Sequence, residues 1–152
     1  MERVTRWLDP DEQQTWRNFL AASRLINEAL DRQLQREAGM PHTYYVILVV
    51  LSEAPERSMR MSELAAMAQS SQSRLSHAVA RLEERGWVRR ERCPADGRGN
   101  LAVLTEEGFA ALAAAAPGHV EEVRRSLFDV LTPEQVRELD EICAAVRNTL
   151  ER

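Results

Sequence analysis

The sequence predicts a mostly α-helical chain with one small β wing. Three observations predict it. Apolar residues recur at helical spacing in separated stretches, most clearly Leu75, Ala78, Val79 and Leu82 at i, i+3, i+4 and i+7. Helix-starting signals precede several of these stretches, as in Asp9-Pro10 and Thr132-Pro-Glu-Gln135. Finally, residues 62–99 read SELAAMAQSSQSRLSHAVARLEERGWVRRERCPADGRG, two short helical segments parted by Gln-Ser-Ser-Gln, then a strand and a polar loop. Support helix, turn, second helix and two-stranded wing, in that order, make a winged helix-turn-helix. The expected division is an N-terminal dimerisation helix over 1–40, the winged domain over 41–104 and C-terminal dimerisation helices over 105–152.

The first helix starts after Asp9, an N-cap, with Pro10 in the first helical position and Asp11 and Glu12 near the positive helix end. Trp16, Phe19, Leu20, Ile26, Leu30 and Leu34 give it an apolar stripe, and Gly39 with Pro41 stops it. A small domain cannot cover so long a helix, and a partner subunit would. Residues 44–51, YYVILVVL, are a continuous apolar run that reads as a buried strand by propensity or as a buried helix. Met59-Arg-Met61 is a candidate short strand pairing with the wing. Helices are expected over 62–68 and 72–85, the second capped by Ser70 or Ser71 and ended by Gly86 in the left-handed region. Residues 87–92 and 100–104 are the wing strands, with a loop between. Thr105 caps an alanine-rich helix that Pro117-Gly118 is expected to kink or split. Thr132 and Gln135 have capping-box spacing, and Val136, Leu139, Ile142, Cys143, Val146 and Leu150 form a last stripe.

The formal charge of −4 over 152 residues argues weakly against a general nucleic-acid binder, but the charge is uneven. Residues 1–56 carry 6 Arg against 9 acids, 57–98 carry 9 against 5, and 99–152 carry 5 against 10. The only net-positive third contains the two short helices and the wing, and local charge is what a phosphate backbone meets. Two distant Cys make no disulfide framework. No run approaches the ~18 apolar residues of a membrane span. Asp and Glu interrupt the opening MERVTRWLDPDEQQ before any apolar run, so no secretory signal and a cytoplasmic location are expected.

SELA at 62–65, SRLSHAVARLEERGWVRR at 73–90, and Asp96, Arg98, Leu104, Thr105 and Gly108 in the pattern Asp-x-Arg, strand, Leu-Thr-x-x-Gly resemble the MarR family of bacterial transcriptional regulators. The resemblance covers nearly the whole chain, including the Leu-Thr-Pro-Glu start at Leu131. It implies that 44–51 is a helix. It also implies a homodimer with intertwined terminal helices, binding a pseudo-palindromic operator in double-stranded DNA and usually repressing. Many members release DNA when a small aromatic or anionic effector binds between the winged lobe and the dimerisation helices.

A reading helix must present short polar side chains at its N-terminal end, and Ser70, Ser71, Gln72, Ser73, Arg74 and His77 meet that need. Gln pairs bidentately with adenine and Arg with guanine, while Ser hydroxyls and free helix N–H groups suit phosphates. A solvated helix face has the same composition; the wing and the local charge favour DNA. Arg98 is the candidate to enter a narrow minor groove, which focuses negative potential on a guanidinium. Asp96 resembles the family's acid that holds this Arg. Arg90 contacts phosphate or braces the wing; Arg89 could equally be a solvated strand charge.

An effector pocket could be lined by Trp16, His42, Tyr44 and Tyr45, although all but His42 read first as core. Cys143 lies on an apolar stripe and is expected to be an inert core or interface residue. Cys93, beside Arg92, is expected to be the more exposed thiol and the candidate for a redox-sensing alternative. His42, His77 and His119 share no ligand spacing, so no metal is expected, and no cofactor. No placed nucleophile and base suggest an enzyme. Acid pairs such as Glu83-Glu84 read as solvated. The competing class is a winged-helix protein–protein interaction module, which would not need the Arg excess over 57–98.

Overall fold

The computed structural model describes residues 4–93 and 99–151. Its elements are α1 (Pro10–Ala38), α2 (His42–Glu53), a 3-10 turn (Pro55–Arg57), β1 (Ser58–Arg60), α3 (Met61–Met67), α4 (Gln72–Glu84), β2 (Val88–Arg92), β3 (Asn100–Leu104), α5 (Glu106–Ser126), a second 3-10 turn (Phe128–Val130) and α6 (Pro133–Leu150). The fold is the mostly helical winged helix-turn-helix that the sequence predicts. Contacts divide the chain into two compact units, Asp31–Glu122 and Met1–Leu30 with Val123–Arg152.

Unit Asp31–Glu122 holds almost all of the hydrophobic core. Leu48 and Leu51 of α2, Leu64 of α3, Leu75, Val79 and Leu82 of α4 and Ala102 and Leu104 of β3 pack together out of solvent. Burial explains why 44–51 is helical despite its β-branched residues. Tyr45, Ile47, Leu48 and Leu51 are buried and the rest half-buried, so packing on most of its surface outweighs a small intrinsic preference. The sheet has order β1-β3-β2, all antiparallel, with Met59 opposite Ala102 and Arg90 opposite Ala102 on the other side. The short strand lies one residue earlier than Met59-Arg-Met61, because Met61 opens α3.

Two glycines are set by geometry. Gly86 has φ +74° and ends the α4 turn, where its N–H donates to the Glu83 carbonyl. Gly108, inside α5, lies where any Cβ would collide with the Trp87 carbonyl oxygen, so α5 packs against the start of β2 only without a side chain there. Thr105 secures the same corner: its hydroxyl donates to the Gly86 carbonyl at 2.6 Å and accepts from Gly108 N–H at 3.0 Å. Pro117 does not split α5, which runs unbroken from Glu106 to Ser126. Proline costs one backbone hydrogen bond, but Leu112 and Ala115 anchor the helix before it and half-buried Gly118 and His119 follow it.

In the other unit, both predicted starts form capping boxes. Glu12 N–H donates to the Asp9 carboxylate at 2.8 Å while Asp9 N–H donates to the Glu12 carboxylate at 2.9 Å. Thr132 and Gln135 exchange the same pair of bonds. The apolar stripes of these helices are largely uncovered within one chain. Leu8, Trp16, Phe19, Leu20, Ile142, Val146 and Leu150 are exposed, and Leu8, Trp16, Phe19, Ile142 and Val146 border one apolar groove.

Cys93 contradicts the expectation of an exposed thiol, and Cys143 is not core within one chain. Cys93 is only 5% exposed, whereas Cys143 is exposed. Cys93 follows β2 and donates its N–H to the Gly99 carbonyl at 3.3 Å, which draws the residue toward the ribbon. Cys143 shares the uncovered side of α6.

Candidate nucleic-acid interface

The turn between α3 and α4 presents α4's first residues outward. Gln69 takes a positive φ of 52°, and Ser70 N–H donates back to the Ala65 carbonyl at 2.9 Å, turning the chain sharply. Ser71 is the N-cap: its hydroxyl accepts from Arg74 N–H at 3.2 Å. Buried Leu75, Val79 and Leu82 fix α4 on the core, so Ser71, Gln72, Ser73, Arg74 and His77 all face solvent. Ser70 is half-buried, with its hydroxyl donating to the Ser71 carbonyl at 3.2 Å. The uncovered N–H groups of this first turn carry the positive end of the helix.

Near this turn, Arg60, Met61, Ser62, Gln72, Gly99 and Asn100 line a small cleft of about 150 Å³ where the starts of α3 and α4 meet the base of the wing. Arg60 and Asn100 carry no motif of their own, and the pairing of β1 with β3 brings them here. Asp96 and Arg98 lie outside the described residues. Arg89 pairs with Glu91 at 2.8 Å on the exposed wing face, and Arg92 is exposed.

Arg90 turns inward and braces. Its Nη2 donates to the Ser76 carbonyl at 2.9 Å, and its Nε lies 2.7 Å from Glu83 Oε1. The second contact is an ion pair without hydrogen-bond alignment. Glu83 is therefore not a merely solvated acid, unlike its neighbour Glu84, which pairs with Arg81 on the surface at 3.1 Å. Sequence spacing offered no sign of this, because the pair joins a helix to a strand.

The four residues suggested for an effector pocket belong to two different compact units. Trp16 borders the apolar groove of its own unit and is 52% exposed, so it is not core within one chain. His42, Tyr44 and Tyr45 belong to the other unit. Tyr44 lies 5.4 Å from the Arg85 guanidinium, which also covers Trp87 and donates to the Gly39 carbonyl at 3.1 Å. Tyr45 is buried against His119, with ring centroids 4.1 Å apart, and His119 stacks on His42 at 5.8 Å. Burial lowers the pKa of both imidazoles; for His42 the Asp31 carboxylate opposes this, and for His119 the neighbouring His42 adds to it. Burial raises the Tyr45 phenol. Among the described residues no group of three or more His, Cys, Asp or Glu could hold a metal ion. No helix is long and apolar enough to cross a membrane.

The MarR family model matches residues 38–99. The chain superposes on Sco3205, a MarR family transcriptional regulator from Streptomyces coelicolor solved in complex with DNA, with a TM-score of 0.93 and 54% identity over 99% of this chain and 94% of that one. AbsC, a MarR family regulator from the same organism, gives a TM-score of 0.89 and 44% identity, covering 97% of this chain and 99% of that one. The transcriptional regulator PecS of Dickeya dadantii is 28% identical over 111 residues, 73% of this chain. The chain spans 64% of PecS, less than two thirds of its length. With its winged fold, the exposed first turn of α4 and these relatives, the chain belongs to the MarR family of transcriptional regulators.

Proposed function

We propose that the chain works in the cytoplasm as a sequence-specific DNA-binding repressor, a homodimer on a pseudo-palindromic operator that a small aromatic or anionic effector releases. One observation carries the DNA-binding part. The uncovered first turn of α4 stands on the only net-positive third of an acidic chain. Sco3205, with which this chain shares 54% of its residues, was solved with DNA bound, and that supports the reading. The exposed stripes of α1 and α6 support a homodimer, because apolar patches of this kind ordinarily mark a contact surface. In this reading 1–40 and 105–152 serve dimerisation and 41–104 serves recognition. Repression and effector release rest on the family's habit.

The test is a binding titration on the DNA upstream of the protein's own gene. Affinity should fall steeply with salt, by ~10³-fold or more between about 50 and 200 mM, as phosphate contacts release counterions. Arg98→Ala should weaken binding by about 1–3 kcal/mol while leaving the folded dimer intact. A flat salt slope would overturn phosphate-driven binding, and an unchanged Arg98→Ala curve would overturn the wing assignment.

A further inference from the structure

We infer that Arg90 is a positioning residue. Through Glu83 and the Ser76 carbonyl it fixes the angle between the wing ribbon and α4, and that angle sets how well specific sequence is told from random DNA. The inference rests on the DNA-binding reading above and deepens it.

The geometry is specific. Along β2, Val88 and Arg90 point to the same side of the strand. Val88 is buried in the core. Arg90 adds a polar tie one step further along β2. On α4, Ser76 and Glu83 are seven residues apart and so share one flank of the helix, about 10 Å apart along its axis. A helical side chain leans toward the N-terminus, which carries the Glu83 carboxylate back toward Ser76. One guanidinium then meets both groups, at 2.9 and 2.7 Å. The side chains of Arg90 and Glu83 are only 27% and 36% exposed, so the pair is held partly out of water, where charges attract more strongly.

Recognition needs this tie because helix and wing must meet neighbouring grooves together. Gln72, Ser73 and Arg74 precede Ser76, where the brace meets α4, and β2 continues past Arg90 to Arg92. If charge alone mattered, Glu83 would oppose DNA binding, since its carboxylate lies in the stretch that meets phosphate. If positioning matters, Glu83 supports binding. The two accounts therefore predict opposite signs for the same substitution.

The experiment uses the full-length protein. A duplex is selected from a random-sequence pool by the wild type, and poly(dI-dC) is the non-specific competitor. E83Q, R90Q, R90K and the double variant R90Q/E83Q are compared per folded protein, as quantified by circular dichroism. Positioning predicts that E83Q weakens the selected duplex about tenfold, a typical coupling within one polar network, while non-specific affinity holds or rises. R90Q should lower the same ratio with an unchanged salt slope. R90K should recover part of it by keeping the charge on Glu83. The double variant has the wild-type net charge and should stay impaired. Tighter binding of both DNAs by E83Q, or a double variant restored to wild type, would overturn the inference in favour of charge alone. A salt slope shallower by ~1 in R90Q would assign Arg90 to direct phosphate contact instead. Should R90Q fail to fold, E83Q alone still decides the sign. If the wild type selects no duplex, the DNA-binding reading falls and this inference falls with it; if it selects one and E83Q tightens, only this inference falls.

Discussion

The two compact units differ in where their apolar residues end up. In Asp31–Glu122 most of the large apolar side chains, Leu34, Leu48, Leu51, Leu64, Leu75, Leu82 and Leu112 among them, turn inward and close a core around α2, α4 and β3. In the unit formed by the chain's two ends, the stripes of α1 and α6 face outward, from Leu8 and Trp16 to Ile142 and Leu150. The stripe of α4 in the first unit and those of α1 and α6 in the second have helical periodicity of similar quality. The difference teaches that periodicity names the face of a helix that wants cover but not the molecule that supplies it. In the first unit other parts of the same chain supply it. In the second, by the homodimer reading, a second copy does.

The largest expected effect attacks that second case. Phe19→Glu puts a charge on the exposed stripe, where Phe19 is 57% exposed, so the single chain should tolerate it. Analytical ultracentrifugation should show a monomer, and operator affinity should drop by about 10²- to 10⁴-fold as the two half-sites lose their linkage. A Phe19→Glu protein that stays dimeric would break the contrast between the units. Next in size is Leu82→Ala, in the closed core, where Leu82 has no exposure. It should cost about 2–5 kcal/mol of stability, read as a shifted urea midpoint with unchanged slope.

The smallest effect sharpens the comparison within the first unit. His42 and His119 both have pKa values lowered from the ordinary 6.5, chiefly by burial. A base lowered on folding binds fewer protons folded than unfolded just below 6.5. Stability is therefore fully present above that value and declines as pH falls from 6.5 toward the lowered folded values. The urea midpoint should drop between about pH 7.5 and 5.5, and His119→Asn should flatten the drop. An equal drop in that variant would remove His119 from the account.

Much of the site could be read before the structure. Ser71 as cap, Gly86 as stop and the anchoring set Leu75, Val79 and Leu82 are local signals, each decided by residues a few positions away. Polar Gln72, Ser73, Arg74 and His77 had to face outward once those anchors faced inward. Local reasoning failed where a distant partner decided. For Arg90 the sequence left phosphate contact and a wing brace both open, because its partners Ser76 and Glu83 lie across a turn on another element. Cys93 looked exposed because its sequence neighbours are polar, yet the closing bond to Gly99 draws it inside. Trp16 read as core because an apolar residue on a stripe ordinarily is, and its cover is missing from one chain.

The sequence by itself determined the order of elements, the helix caps, the net-positive stretch and the kinship with a family of regulators. Those properties depend on neighbours in the chain, on composition or on motif spacing. Only the tertiary structure decided that α5 passes through Pro117 and that Arg90 binds protein groups, and it supplied the packing that makes a β-branched run the helix the family resemblance implies. Each of these is set by contacts between residues far apart in sequence, where burial and pairing outweigh the few tenths of a kcal/mol by which local preferences differ.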